Sequence, residues 1–137
     1  MKAKKAIVFT DGAAISNPGP AAIGAVICNE QGRVHARISQ PIGTATNNQA
    51  EYRAIIAALE KAIKLGATHV NLYSDSELVV RQISGRYRVK NATLKPLYQQ
   101  VKHLQALLAD LTVTHIPRWQ NTEADKLTNM ALGLPVD

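Results

Sequence analysis

The 137-residue chain is poor in cysteine and aromatics and has no long apolar run, and each shortage removes a class of protein. Cys28 is the only cysteine, so no disulfide framework can form within the chain, which fits a reducing cytoplasm. None is needed, because a chain of this length hides roughly two-thirds of its unfolded surface in a single domain, taken as residues 1–137. The longest uncharged stretch, Gly12–Asn29, contains Gly12, Pro18, Gly19, Pro20 and Gly24 and is no membrane span. The start, MKAKKAIVFTDG, is basic, but its apolar run stops at Phe9 with no small-residue cleavage site, which argues against a signal peptide. Internal repeats, low-complexity tracts and interdomain linkers are also missing. The apolar fraction of 46% against 19% charged residues then leaves a globular protein rather than a disordered one.

Acid is scarce where base is concentrated. Sixteen Lys and Arg face ten Asp and Glu, a net charge of +6. From Leu78 to Ala109 there is no acid, while Arg81, Arg86, Arg88, Lys90, Lys95 and Lys102 accumulate, with His103 beside the last and Tyr87 inside GRYRVKN. Such a stretch is either a solvated helix face with its loop or a surface that follows phosphates and releases their counterions. The basic balance favours a polyanionic partner.

Periodicity supplies the framework. Lys5–Thr10 is short, apolar and β-rich and ends at Asp11-Gly12, so it reads as a buried strand. After a loop over Ala13–Pro20, Ala21–Cys28 and Arg33–Gln40 flank Asn29-Glu30-Gln31-Gly32 as a hairpin, and Pro41–Thr46 reads as a connector. A helix is predicted over Asn47–Leu65 from Tyr52, Ile55, Ile56, Leu59 and Ile63, with Gly66 as its stop. Thr68–Tyr73 is the fourth strand, and Ser74-Asp75-Ser76-Glu77 opens a short helix ending near Gly85. Leu94, Leu97, Val101, Leu104, Leu108 and Leu111 mark a further amphipathic helix with Pro96 in its first turn. Leu111–Ile116 is the fifth strand, and Asn121 is read as the cap of a last helix reaching Leu132. Only the later strands have the helical crossovers that parallel neighbours require, so the first three run as an antiparallel meander. The expectation is a mixed α/β sheet with helices on both faces and a crevice at the carboxyl ends of its parallel strands.

Four acids could meet in that crevice. Asp11 closes the first strand and Asp75 the fourth, while Glu51 and Asp125 stand early in helices. Singly, each has an ordinary role as a turn residue or as a favourable charge near a helix N-terminus. Together they would repel one another unless cations sat between them. Hard oxygen ligands without nearby Cys or paired His suit Mg²⁺ or Mn²⁺ rather than zinc, and such ions leave room for phosphate oxygens. An acidic pocket on a basic protein describes a metal-dependent phosphoryl-transfer site.

The segments TDGAAISNPGPAAIGAVI, TNNQAEYRAIIAALE, YSDSELVVRQISGRYRVKNATLKPLY and RWQNTEADKLTNMAL resemble type 1 ribonuclease H in order and spacing, over about residues 5–132. TNNQAEY and YSDSELV are the specific signals. The resemblance implies a ribonuclease H-like fold with sheet order 3-2-1-4-5, an acidic quartet of Asp11, Glu51, Asp75 and Asp125, and hydrolysis of RNA paired with DNA. It implies two ions per site: Asp11 bridging both, Asp125 helping to hold the one that activates water, and Glu51 and Asp75 helping to hold the one at the departing 3′-oxygen. Products would carry a 5′-phosphate and a 3′-hydroxyl. The 2′-hydroxyl that distinguishes RNA would be read by backbone around Gly12 and Asn48–Gln49 and by the Glu51 side chain. Asn47 and Asn48 would reach the minor groove, and Asn17, Thr46 and Asn48 the DNA strand or its phosphate. Arg86, Arg88 and Lys90 would lie beside the hybrid. Asn47 also reads as a helix cap, and Asn17, in NPGP, as a turn residue.

The chain departs from its relatives in several places. AAIS after Asp11 replaces a polar and basic loop, which puts a phosphate contact there in doubt. The mobile His that many members carry before the last Asp has His115 as its candidate, but this falls within the strand pattern LTVTHI. A branch of the family has Pro-Arg instead, which Pro117-Arg118 fits, so Arg118 takes the auxiliary role and Trp119 reads as packing. Neither a separate hybrid-binding module nor an extra basic helix is visible. No obligate protein partner is evident, and a cytoplasmic monomer is expected. Two alternatives remain: a same-fold nuclease acting on double-stranded RNA or DNA junctions, and a non-catalytic nucleic-acid-binding domain. With four acids assigned to metal, sixteen bases face six acids elsewhere, or +10.

Overall fold

The computed structural model describes residues 4–136; residues 1–3 and 137, at the ends of the expected domain, lie outside the described residues. The elements are β1 (Lys5–Ala14), β2 (Gly19–Cys28), β3 (Val34–Ala45), α1 (Asn47–Lys64), β4 (His69–Ser74), α2 (Glu77–Ile83), α3 (Lys95–Ala106), β5 (Asp110–His115) and α4 (Thr122–Leu132). They build a five-stranded sheet in the order β3-β2-β1-β4-β5. β1–β2 and β2–β3 are antiparallel, while β1–β4 and β4–β5 are parallel. This is the expected α/β architecture of a ribonuclease H-like fold.

Alternation along β2 divides the core between two faces. Ala25 and Ile27 join Val8, Val70 and Leu72 under α1, where Tyr52, Ile55 and Leu59 are fully buried. Each such large side chain is worth about 1.5–3 kcal/mol of burial, so this seam holds α1 to the sheet. Val26 and Cys28 point the other way and pack on Leu127 of α4. The hairpin between β2 and β3 turns where Asn29 Oδ1 accepts from the N–H groups of Gln31 and Arg33 and Gly32 takes a positive φ of 83°.

Four expectations are corrected. β1 does not end at Thr10 but continues to Ala14, because β2 offers pairing as far as Ala21. Residues Pro41–Thr46 are not a connector, since β3 runs through Pro41 to Ala45. β3 is an edge strand, and Pro41 sits at a register shift opposite Ala22, where its missing N–H breaks no ladder. The cap of α1 is Thr46 rather than Asn47. Finally, α3 stops at Ala106: Leu108 is buried in the following turn and Leu111 belongs to β5. The leucine spacing spans two elements because both feed the same core.

Candidate active site

β1 and β4 deliver the first two acids in register. Thr10↔Ser74 is their last parallel pair, Asp11 is the next residue on β1, and Asp75 directly follows the end of β4. Glu51 enters from the first turns of α1, where Gly12 N–H donates to its Oε1 at 2.9 Å. One carboxylate oxygen each from Asp11, Glu51 and Asp75 lies within 4.8 Å of the others. This all-oxygen donor set fits a hard divalent cation such as Mg²⁺ or Mn²⁺ and offers zinc neither sulfur nor imidazole.

Two close approaches make this convergence possible. A Cβ on Gly12 would stand 2.3 Å from the Ala50 carbonyl, so the bare glycine lets α1 bring Glu51 onto β1. A Cβ on Gly24, which pairs with Asp11, would stand 2.3 Å from the Ala124 carbonyl. α4 therefore rests directly on β2 and carries Asp125 to the site. Thr128 Oγ1 adds bonds to the Asp11 carbonyl at 3.3 Å and to the Ala124 carbonyl at 3.0 Å.

Asp125 stands beside the other three rather than among them. Its Oδ1 accepts from Arg118 Nη2 at 3.3 Å, and Asn129 Nδ2 approaches its Oδ2 at 3.5 Å. Arg118 is the residue chosen for the auxiliary role, and its guanidinium pKa is raised by the charge of Asp125. His115, the other candidate, is the last residue of β5; it is exposed and paired in register with Ser74.

Crowding raises the affinity of the acids for protons. Burial, then the charge of Asp75, lifts the pKa of Asp11 to about 6. Burial, then the charges of Asp11 and Asp75, lifts Glu51 well above its ordinary value, against the opposing Gly12 N–H. A buried cluster of like charge has this property when a cation is its natural complement.

Around α1 the substrate candidates form a hydrogen-bonded lip. Thr46 and Gln49 make a capping box, with Gln49 N–H donating to Thr46 Oγ1 at 3.1 Å and Thr46 N–H to Gln49 Oε1 at 2.8 Å. Asn17 Oδ1 accepts from Asn47 N–H at 3.0 Å, and Asn47 Oδ1 accepts from Ala14 N–H at 2.8 Å. Both asparagines thus tie the β1–β2 loop to α1, and Asn48 lies half-buried beside them. Arg86, Arg88 and Lys90 are exposed on the loop between α2 and α3, well apart in sequence from the acids.

Asn121 occupies the N-cap position of α4, as the sequence predicts, but its side chain serves the site instead. It makes no side-chain capping bond. It is 1% exposed, and its Nδ2 donates to the Thr10 carbonyl at 2.8 Å and to Asp75 Oδ2 at 3.3 Å. In sequence a polar residue before a helix looks like a cap. Its burial, the sign of the other role, comes only with the packed α4. Gly24 was likewise seen only as an interruption of an uncharged stretch.

A family model described as reverse transcriptase-like matches residues 9–131. The chain is 45% identical over 129 residues to the bifunctional protein Rv2228c of Mycobacterium tuberculosis, covering 93% of this chain and 35% of that protein. The structure of that protein's N-terminal RNase H domain, solved as a maltose-binding-protein fusion, superposes with a TM-score of 0.90, covering 93% of this chain and 98% of the other. RNase H1 of the halophilic archaeon Halobacterium salinarum gives a TM-score of 0.92 at 40% identity, covering 94% and 98%. LC11-RNase H1 from compost, in its crystal structure with RNA/DNA hybrid, gives 0.89 at 43% identity, covering 93% and 96%. The chain therefore belongs to the type 1 ribonuclease H family. It spans about a third of the length of the mycobacterial protein.

Proposed function

We propose that the chain is an endoribonuclease that hydrolyses the RNA strand of RNA/DNA hybrids with two Mg²⁺ or Mn²⁺ ions, leaving 5′-phosphate and 3′-hydroxyl ends. The observation that carries this reading is the convergence of Asp11, Glu51 and Asp75 within 4.8 Å, with Asp125 alongside. When bound, such ions supply a water nucleophile at neutral pH and charge stabilisation of the departing oxygen. Asp11, between the other acids, would hold both ions, with Asp125 on the side of the attacking water and Glu51 and Asp75 on the side of the leaving group. Asn121 holds the Asp75 carboxylate in place, and Gly12 N–H does the same for Glu51. Arg118 pairs with Asp125 and takes the auxiliary role in this reading, assisting proton transfer or product release.

Substrate selection falls to the lip and the basic loop. Backbone at Gly12 and Asn48–Gln49 reads the 2′-hydroxyl together with Glu51. Asn17, Thr46, Asn47 and Asn48 meet the groove and the DNA strand, and Arg86, Arg88 and Lys90 meet phosphates. Similarity to a protein solved with RNA/DNA hybrid supports a hybrid as the substrate. Pro117-Arg118 is read as the Pro-Arg form of the family, in a protein acting as a cytoplasmic monomer, for which the lone, buried Cys28 requires no oxidising compartment. Among the described residues no helix is long and apolar enough to cross a membrane.

The test is Asp11→Asn assayed on labelled hybrid with either metal. Cleavage should fall by about 10²–10³-fold or more, as when charge stabilisation of a transition state is removed. Near-normal cleavage by the variant would sink the proposed site.

A further inference from the structure

The turn between β5 and α4 presents the most exposed large apolar side chain among the described residues. Trp119 is 74% exposed, within the single-turn 3-10 helix Arg118–Gln120. Its backbone is tied at both ends to the acidic centre. Arg118 pairs with Asp125, and Asn121 is buried against the Thr10 carbonyl and Asp75. Gln120 N–H and Asn121 N–H close the turn onto the carbonyls of Pro117 and Arg118 at 3.0 and 2.9 Å. The turn that carries the indole is thus anchored between two residues that each touch a carboxylate of the site.

Single exposed apolar side chains are ordinary, and contiguous apolar patches mark protein contacts. In sequence Trp119 is flanked by polar residues rather than by a run of apolar ones. Pro117, Arg118 and Gln120 around it are exposed and mostly polar, while Ile15, Leu107 and Met130 stand on other parts of the chain. Arg118, the residue before it, is a cation paired with Asp125. β5, which leads into the turn, ends at His115, and His115 lines a cleft of about 420 Å³ with Arg81, Ser84 and Arg86. An exposed indole next to Arg118, on a turn tied to two carboxylates of the proposed phosphoryl-transfer site, is placed to pack on a nucleic-acid strand that reaches those carboxylates.

We propose that Trp119 contacts the substrate, its indole packing on a base or sugar of the hybrid beside the scissile phosphate and steadying the strand over the carboxylates. The proposal rests on the hybrid reading above. Trp119 is the only tryptophan in the chain, so its emission reports on this position without a label. Hybrid is titrated into metal-free protein, where no cleavage occurs, while indole emission, acrylamide quenching and anisotropy of an end-labelled hybrid are followed together. Binding should quench the emission and reduce acrylamide access about twofold or more, and Trp119→Ala should weaken binding about tenfold while Trp119→Phe stays within about threefold. Anisotropy that shows binding with unchanged emission and access overturns the proposal and leaves the hybrid reading intact. So does wild-type affinity in Trp119→Ala. Absence of binding by anisotropy overturns both. Quenching that follows protein concentration without nucleic acid assigns the indole to self-association and overturns the proposal.

Discussion

The acidic centre and the basic loop are built by opposite means. Asp11 and Glu51 are 6% and 8% exposed, and four separate elements converge to bring the acids together. Side chains are held individually: Glu51 by Gly12 N–H, Asp75 by Asn121 and Asp125 by Arg118. Around GRYRVKN, by contrast, Arg86, Tyr87, Arg88 and Lys90 are exposed. That segment is tied back through the N–H groups of Arg86 and Tyr87 to the Arg81 carbonyl and through Arg81 lying 5.3 Å over the Tyr87 ring. The contrast suits the two tasks proposed for them. Positioning ions at reacting atoms requires fixed oxygens, whereas attracting a polyanion requires only charge density near its path.

The largest effect that can break this comparison comes from a residue with no functional group. Gly12→Ala must push its methyl against the Ala50–Glu51 backbone, at 2.3 Å from the Ala50 carbonyl. Forced separation of β1 from α1 should cost about 3 kcal/mol in thermal or urea unfolding and remove most metal-dependent activity. A variant with normal stability and cleavage would show that close approach at Gly12 does not position Glu51.

Charge removal should act in the opposite way. Replacing Arg86, Arg88 and Lys90 together by Gln should weaken hybrid binding about 10- to 100-fold and reduce the steepness of its salt dependence by about 2. Stability should stay within about 0.5 kcal/mol, since exposed charges contribute little. An unchanged salt slope in filter binding or anisotropy would show that the loop faces away from the substrate.

Asn121→Ala lies between these extremes. It removes a buried donor shared by the Thr10 carbonyl and Asp75, and should cost about 1–3 kcal/mol of stability. Cleavage should fall with hybrid affinity largely retained, so kcat changes more than KM. An equal loss in both would make Asn121 a general structural residue.

The smallest effect concerns protons. Burial and the charge of Asp75 raise the pKa of Asp11 to about 6 in the folded protein, above its ordinary value of 3.8. The folded state then binds more protons than the unfolded one between these values, so metal-free stability falls as pH rises through this window and stays lowered above about 6. Metal-free protein should therefore be more stable near pH 5 than near pH 7, by about 1 kcal/mol from this group. Asp11→Asn should remove that dependence, and added Mg²⁺ should stabilise the wild type more at pH 7.5 than at pH 5. Melting curves across pH, with and without metal, check all three outcomes. A metal-free protein most stable above pH 7 would contradict the like-charge cluster.

Much of this was legible in the sequence because its signals are local and repeated. The 3.6-residue period from Tyr52 to Ile63 defined α1, and the positions of Asp11 and Asp75 after β-rich runs placed both at one sheet edge. The family segments supplied the strand order that makes β1 and β4 neighbours. What stayed hidden depends on long-range packing. Pro41 looked like the start of a connector because nothing in its vicinity says that β3 lies at the edge. Asn121 looked like a cap because its burial arises from α4 settling over Gly24, about a hundred residues earlier in the chain. Trp119 looked like a packing residue, and its 74% exposure overturns that reading.

The most direct test of the central claim is side-by-side digestion of end-labelled RNA/DNA hybrid, double-stranded RNA and duplex DNA by the wild-type protein, with Mg²⁺ and with Mn²⁺. The expected result is metal-dependent cleavage within the RNA strand of the hybrid, leaving 5′-phosphate ends, with the two duplexes resistant. Equal or preferred cleavage of double-stranded RNA or duplex DNA, or binding of the hybrid without turnover in either metal, would contradict it.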